Sequence, residues 1–158
     1  MTTQPSIETL TELKLTDEIM QTVNEAYVPY DRPILMATID EDGRPNMTWR
    51  GSVVAYSDTQ LGVWARNAEG GTARSLEARP HVMLVYRESG GPGQRSRVTL
   101  NFRGKARVDN SEDARRRVYD TMPQRERDSD AEMKGVAIVV DLESVTGMMP
   151  GVRIAMTK

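Results

Sequence analysis

Between Gly43 and Pro80 the chain carries residue types at spacings that could do chemistry: Arg50, Arg66 and Arg74, with Thr72 and Ser75 among them. Planar guanidinium groups donate paired hydrogen bonds to a phosphate. Thr72 and Ser75 open an expected helix behind a glycine-containing stretch, residues 67–71. At such a helix start, free backbone N–H groups and the helix dipole also favour an anion. Gly51 and Ser52 are small residues in an expected strand, and they leave room for a flat ring to lie along the backbone. Clustered this way, the residues read as a pocket for a phosphorylated, planar ligand, although each arginine alone also reads as surface charge. Trp49 either stacks on a ring or packs in the core or an interface.

Other candidates carry less. Asn101 and Arg103 sit on the polar face of a long alternating strand, where a partner subunit could present them to a ligand. His81 starts a strand directly after Pro80 and reads as structural or exposed. Met148 and Met149 read as cover for a cleft or seam, or as a frayed tail. The run Arg115-Arg116-Arg117 reads as the solvated face of a helix that begins with acids.

Composition narrows the chemistry further. The 158 residues fit one domain, and the 38% apolar share, about 46% with the 12 glycines, is that of a globular chain. Twenty-one Lys and Arg against 23 Asp and Glu leave a formal charge of −2, which speaks against a general nucleic-acid or anionic-membrane binder. With no cysteine, disulfides, thiolate metal sites and cysteine nucleophiles are excluded. A single histidine cannot build a histidine-rich metal site or a two-histidine relay. No apolar run is long enough for a membrane span, and the first ten residues lack a signal-peptide core, so a soluble, cytoplasmic protein is expected. Any reaction would then rest on a bound cofactor.

The elements that must position these residues follow from periodicity. Residues 1–5 read as a loose tail. Ile7, Leu10 and Leu13, then Ile19, Val23 and Ala26, have helical spacing, and Thr16 followed by Asp17 and Glu18 reads as an N-cap dividing two short helices. Pro29 and Pro33 end the helical pattern. Strands are expected at 34–40, 47–56 and 61–66, joined by turns at 41–43 and 57–59 into a three-stranded antiparallel meander. A short helix at 72–79 and a strand at 82–86 come next, then an exposed glycine-rich hairpin loop at 89–95. Val98, Leu100, Phe102, Ala106 and Val108 alternate with polar residues in a long strand, where Gly104 marks a bulge. Ser111 caps a helix to about Met122, residues 123–134 read as a charged solvent loop, and 136–145 form a last, doubly apolar strand. The expected architecture is mainly β: a six-stranded antiparallel barrel with peripheral helices. Residues 1–30 form an N-terminal helical segment, 31–147 the barrel, and 148–158 a C-terminal tail.

Four segments in order, residues 34–45 (ILMATIDEDGRP), 73–82 (ARSLEARPHV), 102–108 (FRGKARV) and 136–142 (VAIVVDL), resemble the pyridoxamine-phosphate-oxidase-like split-barrel flavoproteins over about 34–147. The resemblance implies a homodimer that binds FMN, in some relatives a deazaflavin or haem, in clefts at the subunit interface. It places Thr48, Trp49, Arg50, Gly51 and Ser52 on the flavin-contacting strand, Trp64, Ala65 and Arg66 on the next strand, and Thr72, Arg74 and Ser75 at the phosphate. Many relatives carry lysine where Thr72 stands and asparagine where Ser75 stands. The lost lysine removes a phosphate charge, so either Arg66 or Arg50 compensates or flavin binds weakly. The implied activity is hydride or electron transfer to or from an unidentified small molecule, with Arg50 or strand N–H groups stabilising negative charge on the reduced ring. Residues 147–158 hold no full substrate motif, which points to a divergent relative rather than the oxidase itself. Three rivals stand beside this: a deazaflavin-dependent reductase on the same barrel, a flavin- or haem-binding barrel without turnover, and a single-stranded nucleic-acid barrel. The charge balance and the eight aromatic residues weigh against the last.

Overall fold

A computed structural model describes residues 5–27, 31–88 and 90–158. Most of the expected tail at 1–5, together with Pro29 and Ser89, lies outside the described residues. The architecture is mainly β, a split β-barrel with helices packed around it, as expected. Nine strands are present among the described residues: β1 (Glu8–Glu12), β2 (Ile34–Ile39), β3 (Pro45–Arg50), β4 (Val54–Ser57), β5 (Gln60–Ala65), β6 (His81–Glu88), β7 (Val98–Asp109), β8 (Val136–Met149) and β9 (Val152–Thr157). The helices are α1 (Asp17–Glu25), α2 (Gly71–Ala78), α3 (Glu112–Thr121) and the short α4 (Gln124–Asp128). Among the described residues no helix is long and apolar enough to cross a membrane.

The sheet runs β1-β9-β8-β7-β6-β2-β3 and forks at β8. The first part of β8 pairs with β5, Val136 opposite Ala65 through Asp141 opposite Gln60. Its second part pairs with β9, Ser144 opposite Thr157 through Met149 opposite Val152, while β7 borders it on the other side. This exchange of partners lets one strand belong to both halves of the barrel. The double apolarity of 136–140 fits that position. Ile138 and Val140 enter the main core, and Ala137 turns to a second cluster with Trp64, Val54, Ala114, Val118 and Met122 beneath α3. The main core lies between the inner sheet face and α1, which contributes Ile19 and Val23, with Leu76 of α2 at its edge. Gly104 stands at a register shift between β7 and β8, and any side chain there would strike the Asp141 carbonyl.

Three differences account for nine strands where six are expected. Residues 8–12 are a strand, not a helix; they pair in parallel with β9, Leu10 beside Ile154. One half-buried leucine and two threonines suit a sheet edge, and a segment this short lacks the length to sustain a free helix. The expected strand 47–56 breaks at Gly51, so the three-stranded meander does not form. β3 pairs with β2 alone, and β4 pairs with β5. Ser52 makes the break possible. Its hydroxyl accepts from the Trp64 N–H at 3.1 Å and donates to the Trp64 carbonyl at 3.3 Å, taking the place of ladder bonds. Finally, 148–158 is no tail, since β8 extends to Met149 and β9 returns along it.

Two smaller corrections concern surface segments. The charged stretch 123–134 contains α4, whose amphipathic signal is absent because none of its residues is buried. Val108, expected on the buried face, is 39% exposed, because β6 pairs with β7 only as far as Lys105. The caps at Thr16 and Ser111 form as expected, each hydroxyl accepting a first-turn N–H at 3.2 Å.

Candidate functional site

Arg50 ends β3, where the edge strand passes the start of α2. Its Nε donates to Thr48 Oγ1 at 3.0 Å, and its Nη2 donates to Thr72 Oγ1 at 3.2 Å. The second bond spans 22 residues of sequence and joins the two regions that could hold an anion. Burial first, then the like charge of Arg66, hold the Arg50 guanidinium below its ordinary pKa, with Glu126 pulling the other way. Arg66 follows the last residue of β5 and is exposed. Arg50 and the Thr72 hydroxyl therefore meet at the start of α2, with Arg66 in electrostatic range of Arg50. The N-cap there is Gly70, and no side chain caps the helix. First-turn N–H groups are thus left for solvent or a ligand.

The other expected residues divide by role. Arg74 points to the β2–β3 hairpin, its Nε 3.3 Å from Glu41 Oε1, with both side chains more than 60% exposed. The hairpin tip is fixed by Asp40, whose Oδ1 accepts the N–H groups of Asp42 at 2.9 Å and Arg44 at 2.8 Å, and Gly43 takes a φ of +78°. Asp40, Glu41 and Asp42 line a cleft of about 360 Å³ with Thr72, Arg74 and Ser75. Three carboxylates on that rim repel an anion, so the favourable side is that of Thr72, where Arg50 is bonded. Ser75 is buried and its hydroxyl donates to the Thr72 carbonyl at 3.0 Å, which holds the first turn of α2.

Gly51, Ser52, Trp64 and Ala65 contribute structure. The space over Gly51 that a ring could use is filled, because a Cβ there would strike the Glu126 carboxylate and come within 3.3 Å of the Tyr27 ring. Ser52 is buried against Trp64, and Ala65 faces the main core. Trp64 is 3% exposed; its Nε1 donates to Asp130 Oδ2 at 2.9 Å and its ring meets Tyr119 edge-on at 5.2 Å. Trp49 is the opposite case at 69% exposure, on the outer sheet face with Met47. Leu35, Ala37, Met83 and Val85 continue that face across β2 and β6. A second cleft, of about 410 Å³, adjoins it and is lined by Ala37, Ile39, Pro45, Met83, His81 and Arg103, among others. Asn101 lies in the same register row as Val85.

Sequence reading missed Glu126 and Tyr27, which reach this site from segments with no local signal for it. Glu126 belongs to a charged run that looks like ordinary solvent loop, and its relation to Arg50 exists only in three dimensions.

A family model described as pyridoxamine 5′-phosphate oxidase matches residues 17–148. No curated protein matches the chain. Solved structures share the fold at low identity. A conserved hypothetical protein from Mycobacterium tuberculosis superposes with a TM-score of 0.64 at 19% identity, over 90% of this chain and 89% of that one. HupZ of Group A Streptococcus gives 0.59 at 17%, over 88% and 98%. A candidate pyridoxamine 5′-phosphate oxidase from Lactobacillus delbrueckii gives 0.56 at 17%, over 86% and 96%.

Proposed function

Because the chain belongs to the pyridoxamine 5′-phosphate oxidase family, we propose that it is an FMN-dependent oxidoreductase acting on a small molecule, and that its phosphate site is built on Arg50, Arg66 and Thr72. The observation that carries this reading is the half-buried Arg50, tied to Thr72 at the start of an uncapped helix with Arg66 in electrostatic range. The donor set fits a phosphate ester: guanidinium groups, a hydroxyl and first-turn N–H groups, with no thiolate or imidazole among them. Arg50 and Arg66 also supply the charge that lysine in place of Thr72 would bring.

Bound FMN supplies a ring that accepts and donates a hydride or single electrons. The chain's own residues would hold its tail and leave an open apolar face. That face carries Met47 and Trp49, 59% and 69% exposed, beside Leu35, Ala37, Met83 and Val85. Contiguous apolar exposure of this kind marks an interaction surface. A second copy of the chain seated there would close the cleft over the ring and form a homodimer.

The test is an absorbance spectrum of the purified protein, followed by titration with FMN, riboflavin and a deazaflavin. Flavin bands, or FMN binding at least tenfold tighter than riboflavin, support the reading, since paired guanidinium bonds to phosphate contribute about that much. Equal affinity for FMN and riboflavin removes the phosphate site from it. Binding of the deazaflavin alone replaces the ring, and absence of binding to all three overturns the reading.

A further inference from the structure

The element that covers Gly51 brings an acid to a site built for an anion. α4 lies against the β3–β4 break, and the Glu126 carboxylate rests on Gly51, next to Arg50 in sequence. We propose that Glu126 sets the charge selectivity of this site: a carboxylate lying over Gly51, the residue after Arg50, offsets part of the Arg50 charge and weakens the hold of the pocket on a doubly charged phosphate. This rests on the FMN reading for the identity of the ligand, though not for the placement of the charges.

Contacts around α4 hold the Glu126 backbone in place and set its carboxylate over Gly51. α4 is short and exposes its residues, yet it is tied down from both sides. Arg127 braces α4 internally, donating to Gln124 Oε1 from Nε at 3.2 Å and from Nη2 at 2.9 Å, and anchors it to α3 from Nη1 to the Asp120 carbonyl at 3.1 Å. Tyr119 Oη donates to the Asp130 carbonyl at 2.9 Å and lies 3.3 Å from that of Arg127. Glycine at position 51 provides the notch, since any larger residue would displace the carboxylate. The neighbouring cation, Arg125, is held over the Tyr27 ring at 5.4 Å. Glu126 also pulls the Arg50 guanidinium in the direction opposite to Arg66, so its charge is felt at the site.

Phosphate monoesters carry close to two negative charges at neutral pH. With Arg50 partly offset, a bound dianion is under-neutralised, and removing the carboxylate charge should restore the balance. At the separations and screening of a partly open site, one charge acting on a dianion changes affinity about tenfold. The experiment titrates wild type, Glu126→Gln and Glu126→Asp with FMN, riboflavin and inorganic phosphate, at low and high salt. Expected results are FMN binding about tenfold tighter to the Gln variant, a gain that shrinks in salt, unchanged riboflavin binding, and wild-type affinity in the Asp variant. Unchanged FMN affinity in the Gln variant overturns the inference while the flavin reading stands. So does an equal gain with riboflavin or in the Asp variant, because shape rather than charge would then be responsible. If FMN binds none of the proteins but inorganic phosphate raises the melting temperature of the Gln variant more than that of wild type, the charge assignment stands and the flavin reading falls. If neither anion binds any of them, both fall.

Discussion

Arg50 and Arg74 are the same residue type placed in opposite circumstances. Arg50 is half-buried, bonded to two hydroxyls and in electrostatic range of Arg66; Arg74 is exposed and already engaged by Glu41. An exposed ion pair contributes little and is readily solvated. Replacement of Arg50 by Ala is therefore expected to weaken FMN binding roughly 10- to 100-fold, the scale of a lost charge-assisted bidentate contact. Replacement of Arg74 by Ala is expected to cost less than about threefold, as for a rim charge. Arg50→Lys should recover only part of the loss, because an ammonium cannot reach Thr48, Thr72 and a phosphate together. Isothermal titration of the three variants checks the order, and a larger loss at Arg74 than at Arg50 would move the phosphate toward the hairpin.

At the scale of elements, the turn between α4 and β8 is organised by one carboxylate. Asp130 Oδ2 accepts from Trp64 Nε1 and the Gly135 N–H, each at 2.9 Å, and Oδ1 accepts from the Lys134 N–H at 3.0 Å. Burial opposes its ionisation, but the two backbone N–H groups and the indole N–H outweigh that, so its pKa lies below the ordinary carboxylate value. A depressed folded-state pKa gives stability that is present above the unfolded value, near 4, and is lost as pH falls through the lower folded value. Asp130→Ala is expected to destabilise the fold by about 1–3 kcal/mol at neutral pH, since it strands the indole donor and the N–H groups. The gap from wild type should narrow in acid, below about pH 4, as the native carboxylate is protonated. Urea unfolding at neutral and acid pH measures both. The same turn positions α4, so this variant should also loosen Glu126.

For the whole molecule, the asymmetry of the sheet decides what faces outward. α1 and α2 cover the inner face and α3 covers β5 and part of β8, but none of the described residues covers Met47 and Trp49. Trp49→Asp places a charge in the centre of that face while leaving the core untouched. If a second copy seats there, the variant should be monomeric by sedimentation at concentrations where wild type is dimeric, and should bind FMN more weakly. A wild type that sediments as a monomer removes the homodimer.

Local chemistry was enough for much of this protein. Alternation along 98–106, the caps at Thr16 and Ser111, the hairpin turn at Gly43 and the bulge at Gly104 each depend on neighbours within a few residues, so periodicity and turn chemistry expose them. The mainly β class followed from the same reading, whereas the sequence grouped Arg50, Arg66 and Arg74 with Thr72 and Ser75 and could not separate the arginine that meets Thr72 from the one that meets Glu41. Partner choice along the sheet was not legible there. Residues 8–12 became a strand because β9 offers an open edge, and 47–56 divides because β2 and β5 each claim one half of it. The roles of Trp64, Ser75 and Glu126 were likewise set by contacts distant in the chain: Asp130 lies 66 positions beyond Trp64, and Glu126 rests on Gly51 from another element. Burial and electrostatic fields sum over everything close in space, so whether an arginine faces a ligand or a carboxylate is settled only when the chain has closed around it.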